Sequence, residues 1–287
     1  MTNHASLPAP HLRAEQSQES IMNTSNASKS SAANGRLWGA RARDWADVQE
    51  GQCRAAYEAV FDRLALGPKT KYCDVGCGAG MAALLASHRG AEVSGIDAAE
   101  SLLGIARERV AVADLRLGDV EALPFASGAF DVVTGFNSFQ FAANPVAALA
   151  EARRVAKPSG RIVVLTWGDP EGMEAAAIVG ALRTLLPPPP PGAPGPFALS
   201  SESSLRAFAQ SAGLMPMEVL DVTCEWNYRD LDTALRGLGS SGVAAKAAEH
   251  ASADAVDKAH EAALAPFRRD DGSYRLGASF RWLLAAP

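Results

Sequence analysis

Lys71-Tyr72-Cys73-Asp74-Val75-Gly76-Cys77-Gly78-Ala79-Gly80 is a short apolar strand with an acid near its end, followed by glycines at every second position. Glycine permits backbone turns at positive φ and lets a ligand approach the main chain without meeting a Cβ. The alanine-rich run that follows, Met81 to Ser87, has a helical pattern, so the loop presents the positive end of a helix dipole to whatever lies above it. The stretch reads as a ligand cradle.

Spacing narrows the ligand. A nicotinamide fingerprint places its third glycine three residues after the second, to seat a pyrophosphate on the helix. Gly76, Gly78 and Gly80 are spaced two and two instead, and the Asp74 carboxylate would repel a diphosphate. No Gly-Lys-Ser/Thr follows, which excludes a P-loop. An acid suits a ligand with a cationic end.

Working outward, Glu92 to Ile96 reads as a second strand ending in Asp97, with a helix from about Ala99 to Arg109. Gly78 and Asp97 are 19 residues apart, the length of one βα unit that brings an acid to the second strand tip. A carboxylate there can accept from both hydroxyls of a ribose, although Asp97 also reads as a helix N-cap, and the two roles are compatible. A short third strand, Asp114 to Asp119, leads into Glu121-Ala122-Leu123-Pro124-Phe125. Strand four, Phe130 to Gly135, opens into Phe136-Asn137-Ser138-Phe139-Gln140-Phe141. The next helix is punctuated by Asn144 as cap, Pro145 at its first position and Lys157-Pro158-Ser159-Gly160 as its stop. Strand five, Arg161 to Trp167, contains an Ile-Val-Val-Leu run fit for burial on both faces. The alternation predicts an α/β fold with a doubly wound sheet, whose ligands bind at the carboxyl ends of the strands.

Four segments together, Asp74 to Gly80, Gly95-Ile96-Asp97, Gly118 to Phe125 and Phe130 to Val133, resemble the class I S-adenosylmethionine-dependent methyltransferases, particularly the small-molecule branch that includes quinone-biosynthesis enzymes. The resemblance runs from about Trp38 to the C-terminus. It implies a Rossmann-like, seven-stranded, mostly parallel sheet with helices on both faces, S-adenosyl-L-methionine as cofactor and a small organic molecule as methyl acceptor. The cofactor residues it implies are Asp74, Gly76, Cys77, Gly78, Gly80, Asp97, Ala98, Leu102, Asp119, Val120 and Phe136. Among these, Asp119 would address the exocyclic adenine amine, the Val120 amide a ring nitrogen, and Leu102 the adenine face. Gly118-Asp119 alone would be turn chemistry.

The segment before the first strand often caps the cofactor pocket in that family, which makes Trp38, Arg41, Asp44 and Trp45 candidate wall residues. Trp38 and Trp45 are seven apart and would share one face of a helix over Arg36 to Trp45, which equally suits indoles packed on the core. A second helix is expected from about Gln52 to Leu66, ended by Gly67-Pro68. After strand four, Asn137 and Gln140 are placed to hold an acceptor. The Asn/Asp-Pro-Pro-Tyr/Phe motif of enzymes that methylate exocyclic amines of DNA bases is missing there. No catalytic residue is assigned, because a sulfonium methyl donor is already activated and needs alignment and desolvation more than an acid or base.

Composition bounds the remainder. The 287 residues are 48% hydrophobic and 21% charged, as expected for a globular chain, and a net charge of -5 argues against nucleic acid as partner. Cys53, Cys73, Cys77 and Cys224 show no zinc spacing, so reduced thiols in a cytoplasmic setting are expected; a reactive Cys77 is the lesser reading against a small residue that fits. Residues 1–33, polar and poor in aromatics, are expected to be a disordered tail, and Met22 is an alternative start. No run long enough for a membrane span and no secretory signal is seen. A helical cap is expected over 34–69 and the methyltransferase domain over 70–287.

Beyond strand five, Met173 to Leu186 reads as helix, Pro187 to Pro191 as a stiff spacer, Ser201 to Ala212 as helix and Met217 to Trp226 as strand. Asp230 to Pro266, alanine-rich and interrupted at Gly237 to Gly242, precedes a final strand from Ser273 to Ala285. By the resemblance it would be a helical lid over the active site. His250 and His260 are ten apart, about 80° around a helix, which does not suit a shared metal site, and no metal is expected; one of them is an available base, with a surface position the commoner case. Two further readings are a cofactor-binding protein without transferase activity and a dehydrogenase on a related sheet. The glycine spacing disfavours the second.

Overall fold

A computed structural model describes residues 31–188 and 195–287. Most of the expected tail (1–30) and the end of the proline spacer with the three residues after it (189–194) lie outside the described residues, and Ser31 to Ala33 are helical.

The strands are β1 (Lys71–Val75), β2 (Glu92–Asp97), β3 (Asp114–Leu117), β4 (Phe130–Phe136), β5 (Ala156–Trp167), β6 (Met215–Tyr228) and β7 (Tyr274–Ala286). They form one sheet in the order β3-β2-β1-β4-β5-β7-β6. Pairing is parallel from β3 through β5, while β7 runs antiparallel to both β5 and β6. The order reverses between β1 and β4, so a crevice opens beyond their carboxyl ends, where ligands bind in such sheets.

The helices of the first half are α1 (31–39), α2 (Ala42–Asp44), α3 (Arg54–Arg63), α4 (Met81–His88), α5 (Glu100–Arg109) and α6 (Pro145–Val155). Those of the second half are α7 (Ala175–Ala181), α8 (Glu202–Ser211), α9 (Leu231–Leu238), α10 (Gly242–His250) and α11 (Ala253–Leu264). Side chains of β5 alternate between faces: Val163 and Leu165 join a core with Phe61, Ala83 and Ile178, whereas Ile162 and Val164 join one with Leu149 and Leu205. Burial on both faces is what the unbroken apolar run of β5 requires.

Several boundaries differ from the sequence expectation. Lys157 to Gly160 is not a stop between helix and strand, because β5 already begins at Ala156. Ala156 pairs with Phe130, and the register then shifts before Val132, so the Pro-Ser-Gly segment is absorbed as an irregularity within the strand. The Lys157 ammonium bonds Asp131 at 2.7 Å across it. The helix expected from Met173 to Leu186 contracts to α7 followed by a 3₁₀ turn at Arg183–Leu185. Likewise Arg36 to Trp45 is not one helix: α1 ends at residue 39, and α2, a π-turn (Trp45–Gln49) and a 3₁₀ turn (Glu50–Cys53) follow. Trp38 and Trp45 nevertheless meet edge-on, with ring centroids 5.2 Å apart.

Candidate functional site

The turn after β1 is built from backbone bonds. Gly76 and Cys77 both donate to the Ile96 carbonyl, at 2.8 and 3.0 Å, which hangs the turn from the end of β2. Gly76 has φ 78°, and a Cβ there would lie 2.4 Å from that of Ser138. Gly80, at φ 84°, starts α4 and would meet Ala106 at 2.8 Å. At both positions sign of φ and close approach admit only glycine.

One cavity lies over this turn, along the carboxyl ends of β1 to β5. Of the cofactor candidates, Gly76, Gly78, Asp97, Ala98, Leu102, Asp119, Val120 and Phe136 line it. Asp97 accepts from the Gly78 amide through Oδ2 and from the Ala99 amide through Oδ1, both at 2.8 Å. Burial raises its carboxyl pKa against the lowering effect of those bonds. Asp119 accepts from the Glu121 amide at 2.9 Å through Oδ1, while its Oδ2 is buried with no partner. A buried carboxylate oxygen without a donor, on a residue that lines a cavity, keeps its capacity to accept a hydrogen bond.

Asp74, Cys77 and Gly80 do not line the cavity. Asp74 turns into the sheet, where its Oδ1 accepts from the Thr134 hydroxyl at 3.1 Å, with the Tyr72 hydroxyl 2.7 Å from Thr134. Burial pushes its carboxyl up to about 7. Cys77 is buried behind the turn, and burial pushes its thiol up, so it stays protonated and is no nucleophile at neutral pH.

Among the acceptor candidates, Trp38, Trp45 and Asn137 line the cavity; Arg41, Asp44 and Gln140 do not. Arg41 and Arg236 share the Asp44 carboxylate at 2.8 and 2.7 Å, tying the N-terminal segment to α9. Partial burial pushes the Asp44 carboxyl up, but the bonds from Arg236 and Arg41 outweigh it and hold it below the usual range. Gln140 donates to the Asn137 Oδ1 at 3.0 Å and supports that side chain, whose backbone sits at φ 52°.

The wall opposite the sheet comes from 31–57. The Asn34 amide donates to the Phe141 carbonyl at 2.8 Å, and the Trp38 ring meets Phe141 at 5.3 Å, bridging the cavity. Below them, Glu50 is buried and accepts from the Met81 amide at 3.2 Å and from Arg109, which also donates to the Ala79 and Ala46 carbonyls at 2.8 Å. This knot fastens the wall to the glycine turn. Helices α9 to α11 stand outside that wall: a Cβ at Gly242 would strike the Trp38 indole at 2.7 Å, and none of their residues lines the cavity. His260 is no surface residue; burial lowers its pKa to about 4, and its Nδ1 has no partner. His260 does not reach the cavity either.

Cys53, Tyr57 and Ser138 also line the cavity and escaped the sequence reading. Ser138 sits within the informative loop and was findable from its place beside Asn137; Cys53 and Tyr57 lie in an amphipathic segment where nothing local marks them. Among the described residues no cluster suits a metal ion and no helix is long and apolar enough to cross a membrane.

A model described as a methyltransferase domain matches residues 73–164. The chain is 29% identical to a malonyl-[acyl-carrier protein] O-methyltransferase of Erwinia pyrifoliae, over 71% of this chain and 74% of that protein. It is 41% identical to a demethylmenaquinone methyltransferase of Thermus thermophilus over 39% of this chain, and spans about half (53%) of that relative. A solved structure of a candidate methyltransferase from Bacillus halodurans superposes with a TM-score of 0.53 at 16% identity, covering 80% of this chain and 97% of that one.

Proposed function

We propose that the chain, which belongs to the class I S-adenosylmethionine-dependent methyltransferases, transfers a methyl group from S-adenosylmethionine to a small organic acceptor by direct displacement. The observation that carries the cofactor assignment is the unpartnered Asp119 Oδ2, buried in the same cavity as Asp97 and the glycine turn. An adenosine supplies what these residues lack. Its exocyclic amine is a donor for Asp119, its ribose hydroxyls are donors for the second lone pairs of Asp97, and Leu102 offers an apolar face to the base.

When bound, S-adenosylmethionine supplies a methyl group already activated by its sulfonium. The chain's residues have the simpler task of holding, orienting and drying. Gly78, without a Cβ, leaves the turn open to close approach. Trp38, Trp45 and Phe136 remove water from the reacting volume. Asp74, one layer below, adds a carboxylate whose ionisation a cation above it would favour. Among the described residues no lysine, arginine or histidine lines the cavity, so alignment rather than an assigned base is the chain's contribution.

The experiment is calorimetric titration of the full chain with S-adenosylmethionine and S-adenosylhomocysteine, followed by methyl transfer to phenols, quinols, amines, thiols and carboxylates. Micromolar binding with transfer to one class is expected. Binding without transfer to any class would favour a cofactor-binding protein, and NAD binding in place of both ligands would overturn the assignment.

A further inference from the structure

We propose that Tyr57 selects and orients the methyl acceptor, and that the acceptor is an uncharged, planar molecule whose hydroxyl or carbonyl oxygen meets the Tyr57 hydroxyl. This deepens the methyltransferase reading above and rests on it.

The cavity is unlike at its two ends. It crosses five adjacent strand ends, at roughly 4.8 Å per strand. Asp119 follows β3 and Asp97 ends β2, so the adenosine groups gather on that side, with the glycine turn at β1 in the middle. The volume over β4 and β5 remains, bounded by Phe136, Leu165, Cys53 and Tyr57. Among the described residues, Asp97 and Asp119 are the acidic side chains on the cavity wall, and both are at the far end.

Tyr57 is one of the polar groups of this second end, together with Cys53 and, just after β4, Asn137 and Ser138. Its side chain is 9% exposed, its ring stands edge-on to Phe136 with centroids 4.7 Å apart, and no hydrogen bond from a described residue acts on its hydroxyl. Tyr57 lines the cavity, where a ligand oxygen can meet its hydroxyl. Burial, with Glu50 nearby, pushes both the Tyr57 and Cys53 protons to higher pKa, so both groups meet the ligand neutral. A carboxylate or phosphate placed there would lose its water and find no cationic side chain among the described residues of the wall. An aromatic or quinonoid ring, by contrast, finds Phe136 and Leu165 as apolar walls.

The test uses the full chain saturated with S-adenosylhomocysteine and titrated with two probes of one shape, 2-naphthol and 2-naphthoate. Wild type is expected to bind the naphthol at least about tenfold more tightly than the naphthoate. Tyr57→Phe, which keeps the ring packing, should weaken naphthol binding by roughly 3- to 10-fold, with naphthoate binding, S-adenosylhomocysteine affinity and melting temperature unmoved. Equal or tighter naphthoate binding, no binding of either probe, unchanged naphthol affinity in Tyr57→Phe, or loss of S-adenosylhomocysteine affinity in that variant would each overturn the proposal. Failure of wild type to bind S-adenosylhomocysteine at all is a different result: it removes the methyltransferase reading, and this proposal with it.

Discussion

The Asp97 carboxylate, at the tip of the second strand, accepts a 2.8 Å hydrogen bond from the Gly78 amide in the turn after the first. The residue proposed to grip the ribose thus also holds the loop beneath it. Replacing Asp97 removes both, so Asp97→Ala is expected to weaken S-adenosylhomocysteine binding by roughly 10- to 100-fold. Calorimetry measures this directly, and an unchanged dissociation constant would take Asp97 out of the site.

Asp119 separates binding from stability. Its Oδ1 is used by the Glu121 amide, which asparagine can still serve, while the orphaned Oδ2 contributes no contact to the fold. Asp119→Asn is therefore expected to keep its melting temperature or raise it by a degree or two, yet to lose roughly tenfold in S-adenosylhomocysteine affinity, because a donor would then face the adenine amine. Thermal denaturation and titration on one preparation test both halves.

Glu50 is the opposite case. It is buried against Arg109, which is itself mostly buried, and it caps the Met81 amide. Glu50→Ala strands the guanidinium and is expected to cost about 3 kcal/mol of stability. Denaturant unfolding reads that loss, and Glu50→Gln, which keeps the acceptor oxygen, should be milder.

Asp44 also binds arginines, but its partners Arg41 and Arg236 have 39% and 41% of their side-chain surface exposed. Solvent screening limits such pairs to about 1 kcal/mol or less. Asp44→Asn is expected to lower the melting temperature by roughly 2 to 4 °C and to leave S-adenosylhomocysteine affinity within about twofold, since the carboxylate stands outside the cavity. A tenfold loss in titration would return Asp44 to the site.

The ligand-free protein should carry a pH signature from Asp74. Burial raises its carboxyl from 3.8 to about 7, so the folded state holds a proton that the unfolded chain releases. The folded state then binds more protons, and stability falls as pH rises from about 4 to 7, with the full penalty present above that. Glu50 and Asp97 shift in the same direction, while His260, lowered to about 4, acts oppositely between 4 and 6.5. Comparing wild type with Asp74→Asn cancels these other groups. The variant should gain on wild type by roughly 5 °C between pH 5 and pH 8 in thermal melts, and a constant difference would mean Asp74 does not titrate there.

The parallel half of the sheet was legible because its signals are local. Val163 and Leu165 against Ile162 and Val164 show why an unbroken apolar run announces a strand buried on both faces. The glycine turn announced itself through residues that only positive φ explains. Boundaries were less legible where a tertiary contact overrode a local preference, as when pairing with Phe130 drew Ala156 and the Pro-Ser-Gly segment into β5.

By itself, the sequence determined the order of the strands' chemistry: a glycine turn, then Asp97, then Asp119, each at a strand end one βα unit from the last. Short-range spacing suffices for that, since a βα unit has a set length and a parallel sheet aligns its carboxyl ends. Which way each side chain turns was decided only by the tertiary structure. Asp74 faces Thr134 rather than the cavity, and Arg41 and Asp44 face Arg236, 192 residues from Asp44 in sequence. Tyr57 closes the far wall beside Phe136 and Leu165, contributed by different strands. These outcomes depend on which distant surfaces compete for each group once the sheet is assembled, and no window of neighbouring residues contains that information.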